Sequence, residues 1–166
     1  MNTLLNGKAW VFADNIDTDV LAPGAYMKGS IAELAAHCLE AVHPSFAREV
    51  KPGDIMLAGD AFGIGSSREQ AAQALVELGV AAVVARSFAR IFYRNALNLG
   101  LPVLFCPTLE GVQEGDNVSV DLVQGLVINH TRGQQFSCEA IPPQLMAILA
   151  AGGLMPYLKA RFSKSE

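Results

Sequence analysis

Asp54-Ile55-Met56-Leu57-Ala58, followed by Phe62-Gly63-Ile64-Gly65-Ser66-Ser67-Arg68-Glu69-Gln70, holds an apolar strand, a glycine loop and a helix start in one short span. The strand follows the turn Lys51-Pro52-Gly53, and Ala71, Ala72, Ala74, Leu75 and Leu78 then recur at helical spacing before Gly79. Strand, loop and helix in that order form the unit of a parallel α/β sheet. The loop itself has chemistry. Amides at a helix start are free to face an anion, Gly63 and Gly65 let the backbone approach closely, and Arg68 adds a planar fork suited to a carboxylate or phosphate.

The neighbouring segments extend this unit. Lys8 to Phe12 reads as a first strand running into an acidic loop, Ala13 to Asp19. Ser30 and Glu33 form a capping box, after which Ile31, Leu34, Ala35, Cys38, Leu39 and Val42 predict a helix ending near His43-Pro44. Val80 to Ala85 is a continuous apolar run, as expected of a strand buried on both faces. Ser87 is expected to cap a helix carrying Phe88, Ile91, Phe92 and Leu97, and Leu101 to Phe105 follows as another buried strand. From Gly115-Asp116 onward Val118, Val120 and Leu122 alternate with polar residues, which predicts short antiparallel strands. A last helix is expected from Pro143 to Ala151, before Gly152-Gly153, and the end of the chain, Ser163 to Glu166, is expected to fray. The expected class is α/β: a small parallel sheet flanked by helices, plus an antiparallel β section.

Composition narrows the function. At 166 residues the chain is long enough for one domain with its own core. With 12 Lys+Arg against 16 Asp+Glu, and no dense basic cluster, nucleic acid is not an expected partner. No window reaches the roughly 18 apolar residues of a membrane span, and Met1 to Gly7 has no basic stretch leading into an apolar one, so a cytoplasmic protein is expected. The chain is 51% hydrophobic and 17% charged, against about 25% charged in typical domains, which points to a face covered by another chain. Cys38, Cys106 and Cys138 share no metal-type spacing and read as reduced, packed thiols.

The glycine loop fits none of three familiar patterns. It lacks the lysine of a P-loop, the third glycine of a dinucleotide fingerprint and the G-x-S-x-G elbow of hydrolases. Ser66 or Ser67 acting only as a helix cap is the plain structural reading; two glycines and Arg68 favour an anion site. If Ser66 acts as a base, ionising a hydroxyl as weakly acidic as water costs about 12 kcal/mol at pH 7. A helix terminus returns at most ~2 kcal/mol. Arg68, the loop amides and a Lewis acid from another polypeptide would have to supply the rest. Asp17-Thr18-Asp19 lacks the glycine and distal glutamate of a calcium loop, so Asx turns or loop-holding contacts are expected there. His37, His43 and His130 have no evident nucleophile partner and are left outside the site. Among Arg86, Arg90 and Arg94 solvated or loop-bracing roles are expected, and Arg94 with Asn95 are the best supporting candidates.

Three segments together, Asn15-Ile16-Asp17-Thr18-Asp19, the glycine loop, and Ser87-Phe88-Ala89-Arg90-Ile91-Phe92-Tyr93-Arg94-Asn95-Ala96, resemble the small subunit of isopropylmalate dehydratase-type enzymes in the aconitase superfamily. The resemblance implies the swivelling β/β/α domain, with a core of about residues 7–158 and a tail over 159–166 of a single unit, 1–166. It implies a large-subunit partner carrying a [4Fe-4S] cluster, with no metal held by this chain, and dehydration followed by rehydration of a hydroxy-dicarboxylate in leucine biosynthesis. By the same resemblance Ser66 is the catalytic base, Ser67 and Arg68 bind substrate, and Gly63, Gly65, Asp17, Asp19, Arg94 and Asn95 support them. Substrate choice in the family is associated with a loop falling at Pro23 to Gly29. Here Tyr26-Met27-Lys28-Gly29 stands where isopropylmalate enzymes resemble Tyr-Leu-Arg-Thr and homoaconitate enzymes Tyr-Leu-Val-Tyr, which makes Tyr26 and Lys28 candidate substrate contacts. Lys28 keeps a charge without the fork.

Isopropylmalate is the first expected substrate, with homoaconitate, methylmalate and dimethylmalate as alternatives. Two further classes remain open from the residues: a non-catalytic dicarboxylate-binding regulatory module, and a serine hydrolase, which requires a histidine within hydrogen-bond reach of Ser66.

Overall fold

The computed structural model describes residues 1–163, and the fraying expected of Lys164, Ser165 and Glu166 lies outside the described residues. A seven-stranded sheet runs in the order β4-β3-β2-β1-β5-β6-β7. Its parallel half is β1 (Leu4–Val11), β2 (Ile55–Ala58), β3 (Ala82–Ala85) and β4 (Val103–Phe105). Every residue of β2 and β3 is buried, as their unbroken apolar runs require. The antiparallel half is β5 (Asn117–Asp121), β6 (Leu126–Asn129) and β7 (Gln134–Ser137).

β1 joins the halves by splitting its pairing. Ala9, Trp10 and Val11 lie against β2 in parallel, whereas Leu4 to Lys8 lie against β5 antiparallel. The sequence predicts a strand only from Lys8; the N-terminal half carries no clear alternation and is a strand because β5 gives its backbone groups partners. The sheet curls until its edges approach: the Glu139 amide, just past β7, donates to the Phe105 carbonyl of β4 at 2.9 Å. At this seam Cys106 Sγ donates to Thr108 O at 3.2 Å and to Ser137 O at 3.7 Å, with the Cys138 thiol beside it. The contact between the two thiols holds Cys106 below the usual thiol range and pushes Cys138 up. Two cysteines read as far apart in sequence are neighbours across the seam, still as free thiols.

The helices are α1 (Thr18–Leu21), α2 (Ile31–Ala36), α3 (Phe46–Glu49), α4 (Glu69–Glu77), α5 (Arg90–Asn98), α6 (Pro143–Ala150) and α7 (Leu154–Ser163). Four local expectations are corrected. The acidic loop contains α1, closed by the Asp17 carboxylate accepting from the Val20 amide at 2.9 Å. α2 begins as expected, with Ser30 Oγ accepting from the Glu33 amide, but it stops at Ala36 rather than near His43. Leu39 turns to a φ of 62° and sends its amide to Val20 O at 2.9 Å, so attachment to α1 overrides helical periodicity. Ser87 caps no helix; its Oγ accepts from the Ala61 amide at 2.8 Å, and α5 starts later with Ala89 as its uncapped N-terminus. Beyond Gly152-Gly153, where the sequence reading has no further helix, α7 forms; the two glycines, at φ 92° and 132°, turn the chain between two helices.

Candidate functional site

The three motifs meet at the C-terminal ends of β1, β2 and β3. The glycine loop lies between the other two and is tied to both. On one side the Asn15 amide donates to Asp60 O at 2.8 Å, Gly63 to Ile16 O at 2.7 Å, and Thr18 to Ile64 O at 2.8 Å. On the other, Phe62 donates to Ser87 O at 3.0 Å and Ala89 to Phe62 O at 2.9 Å. Phe62, fully buried, packs edge-on against Phe88 and Phe92 beneath the loop, with ring centroids at 5.9 and 5.1 Å. Gly63 must be glycine: its φ is 83°, and a Cβ there would sit 2.8 Å from Cδ2 of Phe92. Arg86 braces the same end, with Nη2 3.0 Å from Asp14 and 3.2 Å from Asp60. That brace and the Asp60 amide hold the Asp14 carboxyl below its usual range, the amide contributing most.

Ser66 and Ser67 are exposed at the crest of this loop. Neither caps α4; its N-cap is Arg68, with no side-chain cap bond. Among the described residues the amides of Gly65, Ser66 and Ser67 donate to no protein acceptor, and neither hydroxyl has a partner. A run of free amides, two hydroxyls and a guanidinium at the start of a helix has the donors of a candidate anion cradle.

Arg68 is held on one edge only. Its Nη1 lies 2.5 Å from Asp19 Oδ1 and donates to Ala22 O at 3.0 Å. The Nε and Nη2 donors carry no partner among the described residues. A guanidinium anchored through one nitrogen keeps its side edge for a bidentate carboxylate. Asp17 acts as the α1 cap and as a one-residue parallel bridge to Ile64, which sets the loop's height above α1. Thr18 Oγ1 is buried without a partner among the described residues, and lies 3.1 Å from where a Cβ on Gly65 would stand. A larger residue at position 65 would therefore press on that hydroxyl while forcing a φ of 105° on a side-chain-bearing residue.

Pro23 to Gly29 follows directly from the carbonyl that anchors Arg68. Tyr26 ends a single 3-10 turn, Gly24–Tyr26, and Lys28 is exposed with no ion pair among the described residues. Among the described residues no hydrogen bond or ion pair brings Arg94 or Asn95 to the cradle; Arg94 lines a groove between α5 and α6 with Arg90, Tyr93, Leu145 and Ile148. His43 contacts Glu114 at 2.9 Å and Ser45 at 3.3 Å, and His130 contacts Ser119 at 2.6 Å. His37 contacts Glu40 at 2.7 Å and stacks on Tyr26, a relationship sequence reading misses because no spacing rule links positions 26 and 37. No histidine bonds to Ser66 among the described residues, so the serine-hydrolase alternative lacks its base. Cys38 lies in the core with its thiol pushed up by burial, and the other two cysteines occupy the seam, so no thiolate set faces the loop.

The family model described as the aconitase C-terminal domain matches residues 20–107. The 3-isopropylmalate dehydratase small subunit of Heliobacterium modesticaldum is 46% identical over 162 residues, covering 96% of this chain and 98% of that protein. Small subunit 2 of the Archaeoglobus fulgidus enzyme is 48% identical over 155 residues, covering 92% and 93%. The crystal structure of 3-isopropylmalate dehydratase from Methanocaldococcus jannaschii superposes with a TM-score of 0.92 at 41% identity, over 98% of this chain and 99% of that one. With three motifs converging on one cradle and similarity running through nearly the whole chain, the protein belongs to the family of 3-isopropylmalate dehydratase small subunits, within the aconitase superfamily.

Proposed function

We propose that this chain supplies one half of the active site of a heteromeric hydro-lyase that interconverts 2-isopropylmalate and 3-isopropylmalate, a step of leucine biosynthesis, and that the large subunit supplies the other half. The observation carrying this reading is the cradle: Ser66 and Ser67 beside free amides, with Arg68 anchored through Nη1 and its side edge open. In this reading the Nε and Nη2 edge of Arg68 takes a substrate carboxylate in a bidentate grip. Ser67 and the loop amides donate to the same or the second carboxylate. Ser66 Oγ takes the proton from the carbon next to a carboxylate during dehydration and returns it, from the opposite regiochemical sense, during rehydration. Asp19 keeps Arg68 oriented, Asp17 keeps the loop at its height, and Gly63 and Gly65 let it lie close to its neighbours. Tyr26 and Lys28 border the substrate's variable end, and Arg94 and Asn95 support α5 from outside the cradle.

In this reading the large subunit holds a [4Fe-4S] cluster, which would supply the Lewis acid for the substrate hydroxyl that a serine base by itself lacks. We take residues 1–166 as one swivel domain with its core at about 7–158, working in the cytoplasm without nucleic acid or membrane as partner. Among the described residues no helix is long and apolar enough to cross a membrane. Homoaconitate, methylmalate and dimethylmalate are the alternative substrates, since Tyr26-Met27-Lys28-Gly29 matches neither the isopropylmalate nor the homoaconitate pattern.

The test is reconstitution. Combined anaerobically with a cluster-loaded large subunit, the chain should give interconversion of the two isopropylmalates that neither subunit gives alone. Tight dicarboxylate binding by the isolated chain, with no activity in any pair, would favour a regulatory module instead.

A further inference from the structure

The loop from Pro23 to Gly29 is held from both ends of the short helix that follows it. Ser30, the first residue after the loop, caps α2. His37, the C-cap of α2, brings its ring back over Tyr26: the two rings stack with centroids 3.6 Å apart and planes 1° from parallel. Nδ1 of His37 lies 2.7 Å from the Glu40 carboxylate, which fixes the imidazole's rotation about its ring axis. The backbone closes the same circuit, with the Gly29 amide donating to Tyr26 O at 3.2 Å and the Leu39 amide to Val20 O at 2.9 Å. Both rings are only half-buried, so apolar surroundings alone do not hold the tyrosine in one orientation. Tyr26 packs against the core, and the His37 ring lies parallel to it in the stack.

We infer that His37 is a positioning residue for substrate discrimination: stacked on Tyr26 and oriented by Glu40, it fixes the tyrosine ring that borders the variable end of the substrate. This rests on the proposed isopropylmalate reading and adds to it a residue that touches no substrate. The physical reason is entropy and shape. A ring held parallel to a second ring presents one wall to an alkyl group, whereas a freely turning phenol presents an averaged one, and discrimination between alkyl groups of different size depends on a fixed wall. Glu40 acts through His37 in the same way, at one further remove.

The experiment uses the reconstituted two-subunit enzyme with 3-isopropylmalate and its methyl analogue, in wild-type, His37→Ala, His37→Phe and Ser66→Ala forms. His37→Ala should lower the ratio of kcat/KM for isopropylmalate over methylmalate by about 10-fold, mostly through KM for the larger substrate. His37→Phe, which keeps a ring to stack, should restore the ratio to within about two-fold of wild type. A purely structural role would shift Tm and lower both substrates equally, leaving the ratio fixed, and that result overturns the proposal. Ring-proton NMR of the free subunit reads the stack without activity: His37→Ala should remove an upfield ring-current shift on Tyr26, and an unchanged spectrum also overturns it. If Ser66→Ala retains full kcat while the His37 variants change the ratio, the base assignment fails and the positioning role stands.

Discussion

The Asp19 carboxylate lies 2.5 Å from Nη1 of Arg68, joining the acidic motif to the glycine loop through one nitrogen of the guanidinium. The Arg68 side chain is 26% exposed and that of Asp19 68%. An ion pair so exposed contributes about 0–1 kcal/mol to stability, so its value lies in orientation. Arg68→Lys keeps the charge and loses the fork; KM for isopropylmalate should rise by about 10-fold or more, with Tm nearly unchanged. Asp19→Asn should produce a smaller rise in KM of the same sense. Steady-state kinetics beside thermal melts separate these effects.

Gly63 stands at φ 83° with Phe92 against its Cα. Gly63→Ala forces a side chain into a conformation that disfavours it and into a ring that cannot withdraw, because Phe92 is wedged against Phe62 and Phe88. Urea denaturation should show a loss of about 1–3 kcal/mol. Loss of activity should exceed that of stability, since the loop carrying Ser66 is displaced.

Ser87 holds the loop from the opposite side. Its hydroxyl accepts from the Ala61 amide, and Ala61 itself is at φ 57°. Ser87→Ala leaves that donor without its acceptor and should cost about 1–2 kcal/mol, while Ser87→Thr, which keeps the oxygen, should cost less. The comparison is made by equilibrium denaturation of the three forms.

The order of strands and helices was legible in the residues themselves, and the reasons some features were not are physical. Ile55 to Ala58 and Ala82 to Ala85 are apolar throughout, and strands buried on both faces announce themselves that way. Leu4 to Gly7 has no such pattern; its strand character comes from β5, more than a hundred residues later in the chain. The end of α2 follows a backbone bond from Leu39 to α1 that no local propensity encodes. Ser66, Ser67 and Arg68 stand out as a cradle because glycines and a cation before a helix have few other uses. The two flanking motifs are informative only through the family pattern, since their backbone bonds to the loop leave no compositional trace. The Tyr26–His37 stack and the Cys106–Cys138 contact depend on tertiary proximity alone.

Two carboxylates lend the fold acid sensitivity. The Gln113 amide, then Asn129 and Arg132, hold Asp116 below its usual range against the opposing effect of burial. The Asp60 amide and Arg86 do the same for Asp14. A depressed folded value means the unfolded chain binds the proton more readily, so this stability is complete above the unfolded value near pH 4 and declines as pH falls through the folded one. Chemical denaturation at stepped pH should show a steepening loss below about pH 4. Asp116→Asn should flatten that limb and lower stability at pH 7, because Asn lacks the charge that Arg132 answers at 2.9 Å.

Turnover of the reconstituted pair with Ser66→Ala reads the role of Ser66 as base most directly. Ser66 is exposed and bonds to nothing among the described residues, so its removal should leave Tm and assembly with the large subunit unchanged. A positioned proton-transfer group contributes about 10²–10⁴-fold to rate. For isopropylmalate interconversion kcat should fall by that factor, with KM close to wild type; a rate within a few-fold of wild type would show that Ser66 is not the base.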